Sequence, residues 1–176
     1  NLNDTLNQAN KKGLKDQVTA NLFNGDFADQ TGVTEASILT NAYGGTSYAN
    51  NISNAQGLDA TLDAVTGLGQ GYYQGSVNDL IADGFNSTDI LSVGGAHFTG
   101  EVTNNLGLTS ALNALDDLGK DAELTGMQDL VKVHKHGATT LLNVNSGEWA
   151  DEYMAVSGNL NDTLNQANKK GLKDQV

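Results

Sequence analysis

The first candidates for chemistry in this chain are His134 and His136, which lie on either side of Lys135 and could bind a metal. Residues two apart point to different faces of an α-helix but to the same face of a strand. Thr125 and Gln128 have the spacing of a capping box at the start of a helix. A helix that begins there and ends at Gly137 places both histidines in its last turn. Positive charge there suits the helix dipole, and this structural role is favoured over a zinc site.

Acidic residues occur as close pairs at positions 116 and 117, 121 and 123, and 151 and 152. Adjacent carboxylates diverge on a helix, and no third group that would raise the pKa of one of them is evident. Such charged residues usually remain in water. The sequence therefore predicts no catalytic site, and the chain is not expected to be an enzyme.

Four aspartates lie in turns rich in Asn and Gly: Asp26, Asp29, Asp83 and Asp89. Calcium takes oxygen ligands from loops of this kind, but the ligand spacing of an EF-hand is absent. Asn, Asp and Gly also serve turns directly. Turn formation is the favoured interpretation, a calcium site at these aspartates is the alternative, and no other cofactor is expected.

One large aromatic residue follows a glycine in each of three similar segments: Tyr48, Phe98 and Trp149. An exposed row of these rings would form a surface on which a ligand could stack. Their recurrence at equivalent positions favours burial in a core, because aromatic side chains bury much apolar area.

Residues 1–18, NLNDTLNQANKKGLKDQV, return unchanged as residues 159–176. Identity over this length indicates a tandem array, in which residues 1–158 are one full period and residues 159–176 begin the next. Weaker similarity divides the period into three diverged units near 2–57, 58–107 and 108–159, each of about 52 residues. The predicted architecture is a repeat solenoid.

Helical periodicity is clearest at residues 58–68, where Leu58, Leu62, Val65 and Leu68 form one stripe before Gly69. Second helices are predicted to begin at Ser76 and Thr125. The short apolar runs at 90–93 and 141–144 favour buried strands. Residues 34–39 favour a helix, so the predicted fold class is α-rich with short β-strands.

The duplicated segment is expected to dock one period onto the next, because a solenoid unit buries its apolar face only against a neighbour. Both copies are predicted to be helical, in different environments. The residues expected to make the contact are apolar: Leu2, Leu6, Leu14 and Val18 in the first copy, and Leu160, Leu164, Leu172 and Val176 in the second.

The chain has 21 acidic residues against nine lysines, a formal net charge of −12, and no Cys or Pro. This acidity argues against binding to nucleic acid, whose phosphates would be repelled. No apolar run approaches the ~20 residues that span a bilayer. Membrane insertion is therefore not expected, and the composition is typical of a secreted or surface-exposed repeat protein.

The exact tandem identity, the acidity and the absence of Cys resemble repeat modules of very large bacterial surface or secreted proteins of the adhesin or matrix type. The resemblance implies an extracellular or cell-surface location and a structural role as a filament, extender or matrix building block. Adjacent copies of the repeat would be its partners, and other surface or matrix polymers are further candidates. The alternative is an adhesive solenoid module that binds a ligand or calcium.

Overall fold

The structure, a computed structural model, describes residues 1–24 and 32–171. Within these two stretches the regular elements are thirteen α-helices, four 3-10 segments and one π-helix, and no strand is present. The expectation of an α-rich fold is confirmed. The chain forms two compact units, Asn1–Asn86 and Ser87–Val176.

The first unit contains six α-helices over its described residues, and the 3-10 segments Thr46–Tyr48 and Gln70–Tyr72 lead into two of them. The helices are α1 (Leu2–Lys12), α2 (Lys15–Leu22), α3 (Glu35–Leu39), α4 (Ala49–Gln56), α5 (Leu58–Leu68) and α6 (Tyr73–Ala82).

The second unit contains seven α-helices as far as it is described. Ala96–Phe98 and Val144–Gly147 are 3-10 segments, and the π-helix Asp129–Val133 extends one of the α-helices. The helices are α7 (Ser87–Gly94), α8 (Thr99–Leu106), α9 (Leu108–Leu118), α10 (Lys120–Gln128), α11 (Ala138–Leu141), α12 (Ala150–Ser157) and α13 (Leu160–Lys170).

A single glycine joins two helices at the same place in each unit. Gly57 separates α4 from α5 with φ 97° and ψ 156°, and Gly107 separates α8 from α9 with φ 95° and ψ 157°. This backbone region is essentially restricted to glycine. Each glycine therefore ends one helix and turns the chain sharply into the next.

The helices α5 and α9 carry matching apolar stripes into the cores of their own units. Leu62 and Val65 of α5 are fully buried, as are Leu112 and Leu115 at the corresponding positions of α9. Full burial of such a side chain contributes about 1.5–3 kcal/mol. The bounds of α5 agree with the helix predicted for residues 58–68.

The predicted strands at 90–93 and 141–144 are wrong. The first run lies inside α7, and the second begins at the end of α11 and continues into the 3-10 segment Val144–Gly147. A short apolar run does not distinguish a buried strand from a buried helix by periodicity. The helix predicted at 34–39 is confirmed as α3, which begins with a capping box between Thr34 and Ser37.

Two predicted helix starts are also wrong, since Ser76 lies inside α6 and Thr125 lies inside α10. Gly69 and Gly119 end the preceding helices with φ near 100°, and the next helical segments begin directly after them. Ser76 is fully buried in a helix interior, so its hydroxyl is not available as a cap at the start of a helix.

Candidate docking surface and buried acid–histidine cluster

The two identical segments form two identical helices, α1 and α13, as the sequence predicts. The Asn1 side chain caps α1 by accepting from the N–H groups of Asn3 and Asp4, and the Asn159 side chain caps α13 by accepting from the N–H of Asp162. Each helix ends at a left-handed glycine with φ 68°. The same local sequence therefore forms the same helix in both copies, and the surroundings of the two helices can be compared directly.

In α1, one face is covered by the 3-10 segment and the loop before it. Leu6 is fully buried, and the Tyr48 hydroxyl donates a hydrogen bond of 3.0 Å to the Leu6 carbonyl oxygen. A Cβ placed on Gly44 would lie 3.1 Å from the Leu6 side chain, so the loop passes close to the helix.

Two asparagines of α1 flank Leu6 and bind the same loop. The Asn10 amide donates to the Tyr43 carbonyl oxygen at 2.7 Å, and the Asn41 amide donates to Asn3 Oδ1 at 2.6 Å. Residues three and four apart share one side of a helix. Asn3, Leu6 and Asn10 therefore form one continuous docking face, here called the Asn–Leu–Asn face.

In α13 the corresponding Asn–Leu–Asn face, formed by Asn161, Leu164 and Asn168, is exposed. Leu164 is 44% exposed and Leu160, one turn earlier, is 50% exposed. Large apolar side chains grouped on one polar-rimmed face are typical of an interaction surface. The face that holds a loop in α1 is thus open in α13.

A second side of α13, about 110° around the helix axis from this face, is the covered one. Thr163 and Ala167 are almost fully buried, and the helix packs against α11 and α12. The Thr163 hydroxyl donates to the Met154 sulfur at 3.8 Å, and the Lys170 ammonium donates to the Asn143 side chain.

In α1 the corresponding side, which contains Thr5 and Ala9, borders a groove of about 400 Å³. Thr5, which corresponds to Thr163, is only half-buried there. The groove is lined by Asp4, Thr5, Gln8, Ala9, Lys12, Leu14 and Val18. Ala9, which corresponds to Ala167, is buried in both copies. The two copies differ most clearly at two positions: Leu6 is buried where Leu164 is exposed, and Thr163 is buried where Thr5 is half-buried.

The predicted docking leucines differ in environment. Leu6 is buried within its own unit, Leu2 and Val18 are half-buried, and Leu14 is 42% exposed. Leu160 and Leu164 are exposed, while Leu172 and Val176 lie outside the described residues.

The ligand-stacking row predicted as an alternative for the aromatic residues is wrong. Tyr48 and Phe98 are fully buried and Trp149 is 2% exposed, so no ring offers a free face. Each residue lies at or just after a 3-10 segment and packs into its own unit, which agrees with the favoured interpretation of a core role.

A buried group of ionisable side chains occurs in the second unit. Glu101 on α8 is 1% exposed, Asp129 at the start of the π-helix is 7% exposed, and the His134 side chain is 17% exposed. His134 Nε2 lies 2.9 Å from Glu101 Oε2 and 3.6 Å from Asp129 Oδ2. We call these three residues the acid–histidine cluster.

The π-helix brings Asp129 and His134 together. In an α-helix, residues five apart differ by about 140° around the axis, which separates their side chains. In a π-helix the backbone closes a turn between residues five apart, and here the His134 N–H donates to the Asp129 carbonyl oxygen at 3.1 Å. Both side chains consequently face Glu101.

Gly100 makes room for the histidine ring. A Cβ at this position would lie 2.0 Å from His134 Cδ2 and Nε2, which no real side chain tolerates. The Gly100 N–H donates to Asp129 Oδ2 at 2.8 Å and orients that carboxylate. Gly100 thus both leaves space for the His134 ring and orients the Asp129 carboxylate.

Burial changes the acidity of both carboxyl groups. It raises the pKa of Glu101, the nearby Asp129 raises that pKa further, and His134 acts in the opposite direction. Burial also raises the pKa of Asp129, against the lowering effects of the Gly100 N–H and of His134. Two close carboxyl groups in a buried site are stabilised either by protonation of one of them or by a nearby positive charge.

The first unit contains only part of this arrangement. Asp79 accepts from the Asn50 N–H at 2.9 Å, as Asp129 does from Gly100, and burial raises the pKa of Asp79. Positions 51 and 84, which correspond to Glu101 and His134, are Asn and Gly. The complete cluster is specific to the second unit.

Sequence reasoning found His134 but paired it with His136 and missed Glu101 and Asp129. Over the described ranges, the acid–histidine cluster is the one group of three or more potential metal ligands whose atoms lie within 4.8 Å of one another. Asp83 and Asp89 are not part of it, and Asp26 and Asp29 lie outside the described residues. The available signal in the sequence was a single acidic residue in the Thr- and Asn-rich segment that forms α8.

Comparison of the chain with protein families, with curated proteins and with solved structures gave no match. Across residues 1–24 and 32–171, no helix has the length and apolar character needed to cross a bilayer.

Proposed function

We propose that this chain is a structural building block of a tandem array, in which α13 of one period also serves as the first helix of the next. The observation that carries the proposal is the complementary packing of two identical helices. Leu6 is buried in α1, where the loop covers the Asn–Leu–Asn face, whereas the equivalent Leu164 is exposed in α13. Thr163 is fully buried in α13, whereas the equivalent Thr5 is half-buried in α1.

A helix at the joint of two periods would receive both sets of contacts. Residues 138–157 of the preceding period would cover its Thr163 side, as they do in α13. The segment of the following period that corresponds to residues 41–48 would cover its Asn–Leu–Asn face, as this segment does in α1. Exposed apolar surface would then be removed from water at each joint.

Further support comes from the matched corners at Gly57 and Gly107, which lie 50 residues apart and have nearly the same backbone angles. They favour a solenoid of about three diverged units in each period, a size in the known range for repeats. An acidic array of this kind would suit an extracellular filament, surface extender or matrix protein, without catalytic activity, whose first partners are adjacent copies of the repeat.

The alternative of an adhesive module that stacks a ligand on aromatic rings loses its support, because Tyr48, Phe98 and Trp149 are buried. Among the described residues, no structural feature supports a calcium site at the predicted aspartates. The structural proposal is therefore the one that the contacts favour.

The test compares the same leucine in three environments. In the 176-residue chain, Leu6→Ala should lower the free energy of unfolding by about 2–5 kcal/mol, because it leaves a cavity in a core. Leu164→Ala, at an exposed position, should change it by less than about 1 kcal/mol. In a two-period protein, residues 1–158 followed by residues 1–176, Leu164→Ala should become as destabilising as Leu6→Ala.

Lys169→Ala is the matched control, because Lys169 is exposed on the same helix and should be neutral in both proteins. Hydrogen exchange supplies a second measurement. Amides of residues 160–170 should exchange more slowly in the two-period protein than in the 176-residue chain. A neutral Leu164→Ala in the two-period protein, with unchanged exchange, would contradict docking through this helix.

A further inference from the structure

The acid–histidine cluster has the composition of a metal site as well as that of an ion-pair network. We propose that Glu101, Asp129 and His134 bind one divalent transition-metal ion, with Zn²⁺ as the representative ion, and that the ion links α8 to the π-helix. The inference is independent of the proposed repeat function.

The distances between ligand atoms fit such an ion. Zinc bonds of 2.0–2.1 Å to nitrogen and oxygen place tetrahedral ligand atoms about 3.3 Å apart. The two distances from His134 Nε2, 2.9 Å to Glu101 and 3.6 Å to Asp129, lie on either side of this value. Three protein ligands leave the fourth position to a water molecule.

The charge balance also favours a dication. Two carboxylates and a neutral imidazole around a divalent ion give a site of zero net charge. Without an ion, the buried cluster either carries one net negative charge when the imidazole is protonated or must also keep one carboxyl protonated. A ring nitrogen together with carboxylate oxygens is a ligand set suited to zinc rather than to calcium.

Two features of the backbone assemble the cluster. The π-helix, a rare element often found at functional sites, turns Asp129 and His134 to the same side. Gly100 leaves the space that the His134 ring fills, and its N–H donates a hydrogen bond that orients the Asp129 carboxylate. The first unit, with Asn51 and Gly84 at the equivalent positions, has the aspartate and its backbone donor but not the other two ligands.

The experiment titrates the chelator-stripped 176-residue chain with ZnCl₂ at pH 7 by calorimetry and follows its thermal unfolding. We expect one ion per chain and a melting temperature raised by about 5–10 °C at a hundredfold excess over Kd. Glu101→Gln and His134→Gln should each abolish the shift. His136→Gln and His97→Gln, which alter the other two histidines, should retain it.

Binding that persists in both ligand variants, or an equal response to CaCl₂, would show adventitious binding only and would overturn the proposal. Absence of a zinc-induced shift in the unmodified chain would leave the cluster as an ion-pair network and would overturn it equally. Glu101→Gln is nearly isosteric, so it keeps the test valid if His134→Gln fails to fold. In proton NMR of the unmodified chain, zinc should perturb the ring signals of one histidine and leave the other two unchanged.

Discussion

Positions 51 and 101 correspond in the two units, and one side chain there changes the local chemistry. Asn51 donates to the Asp16 carboxylate at 2.7 Å, whereas Glu101 is buried 2.9 Å from His134. The second unit therefore encloses charge where the first unit has an amide. A buried carboxyl group of this kind links stability to pH.

The buried Glu101 carboxyl leads to a prediction about pH. Because the pKa of Glu101 is raised above its ordinary value of 4.5, the folded chain holds this proton more tightly than the unfolded chain does. Its contribution to stability is greatest at low pH and declines as pH rises from about 4.5 through the raised pKa. Urea unfolding in chelator, from pH 4 to 7, should show the native chain losing stability relative to Glu101→Gln across this window.

Glu148→Gln removes one negative charge at an exposed position and serves as the control. Its stability should follow that of the native chain over the same pH range. A stability difference between the native chain and Glu101→Gln that stays constant, or grows with pH, would contradict the raised pKa of Glu101.

At the scale of elements, helix ends in both units are decided by glycines that no other residue replaces easily. Gly57 adopts φ 97° between α4 and α5, while Gly67 lies in the last turn of α5 without a positive φ. A Cβ added to either glycine meets no atom within 4 Å. The two positions therefore differ in backbone conformation and not in available space.

This pair leads to a second prediction, tested by urea unfolding of two single variants. Gly67→Ala should stabilise the chain by about 0.4–1 kcal/mol, because alanine reduces the entropy of the unfolded chain and suits a helix. Gly57→Ala should destabilise it by about 1–3 kcal/mol, because alanine is strained at this backbone conformation. Effects of the same sign at both positions would contradict the role of Gly57 as a helix corner.

At the scale of the whole molecule, the proposed joint helix determines how length grows with the number of periods. A helix packed on both sides would hold consecutive periods in one fixed arrangement, since its two faces bind different periods. Leu6 is packed in α1 and Thr163 is packed in α13, and these two contacts lie on different sides of the same helix. A fixed arrangement repeated at every joint produces a solenoid that extends by equal steps.

Solution scattering on proteins of one, two and three periods tests this prediction. The maximum dimension should increase by a constant increment for each period, and the cross-section should remain unchanged. Leu164→Ala at the joints serves as the control, and it should make the increment smaller by loosening the packing. Increments that already fall with length in the unmodified proteins would indicate hinged beads and would contradict the rigid joint.

The helical nature of the chain and several helix bounds could be predicted from local pattern. The apolar stripe at residues 58–68, the helical segment at residues 34–39 and the duplicated segment each form the predicted helix. These features depend on contacts between residues close in the chain, such as caps, glycine ends and the 3.6-residue repeat. The short apolar runs at 90–93 and 141–144 lack such local markers, and both were mistaken for strands.

Long-range packing determined the rest. Leu6 is buried in α1 and the identical Leu164 is exposed in α13 because different segments pack against the two helices, so no local rule distinguishes the two leucines. The acid–histidine cluster depends on a π-turn and on the approach of α8, which places Glu101 beside residues about 30 positions away. Burial and convergence are properties of the folded chain, and for this protein they locate both the docking face and the candidate metal site.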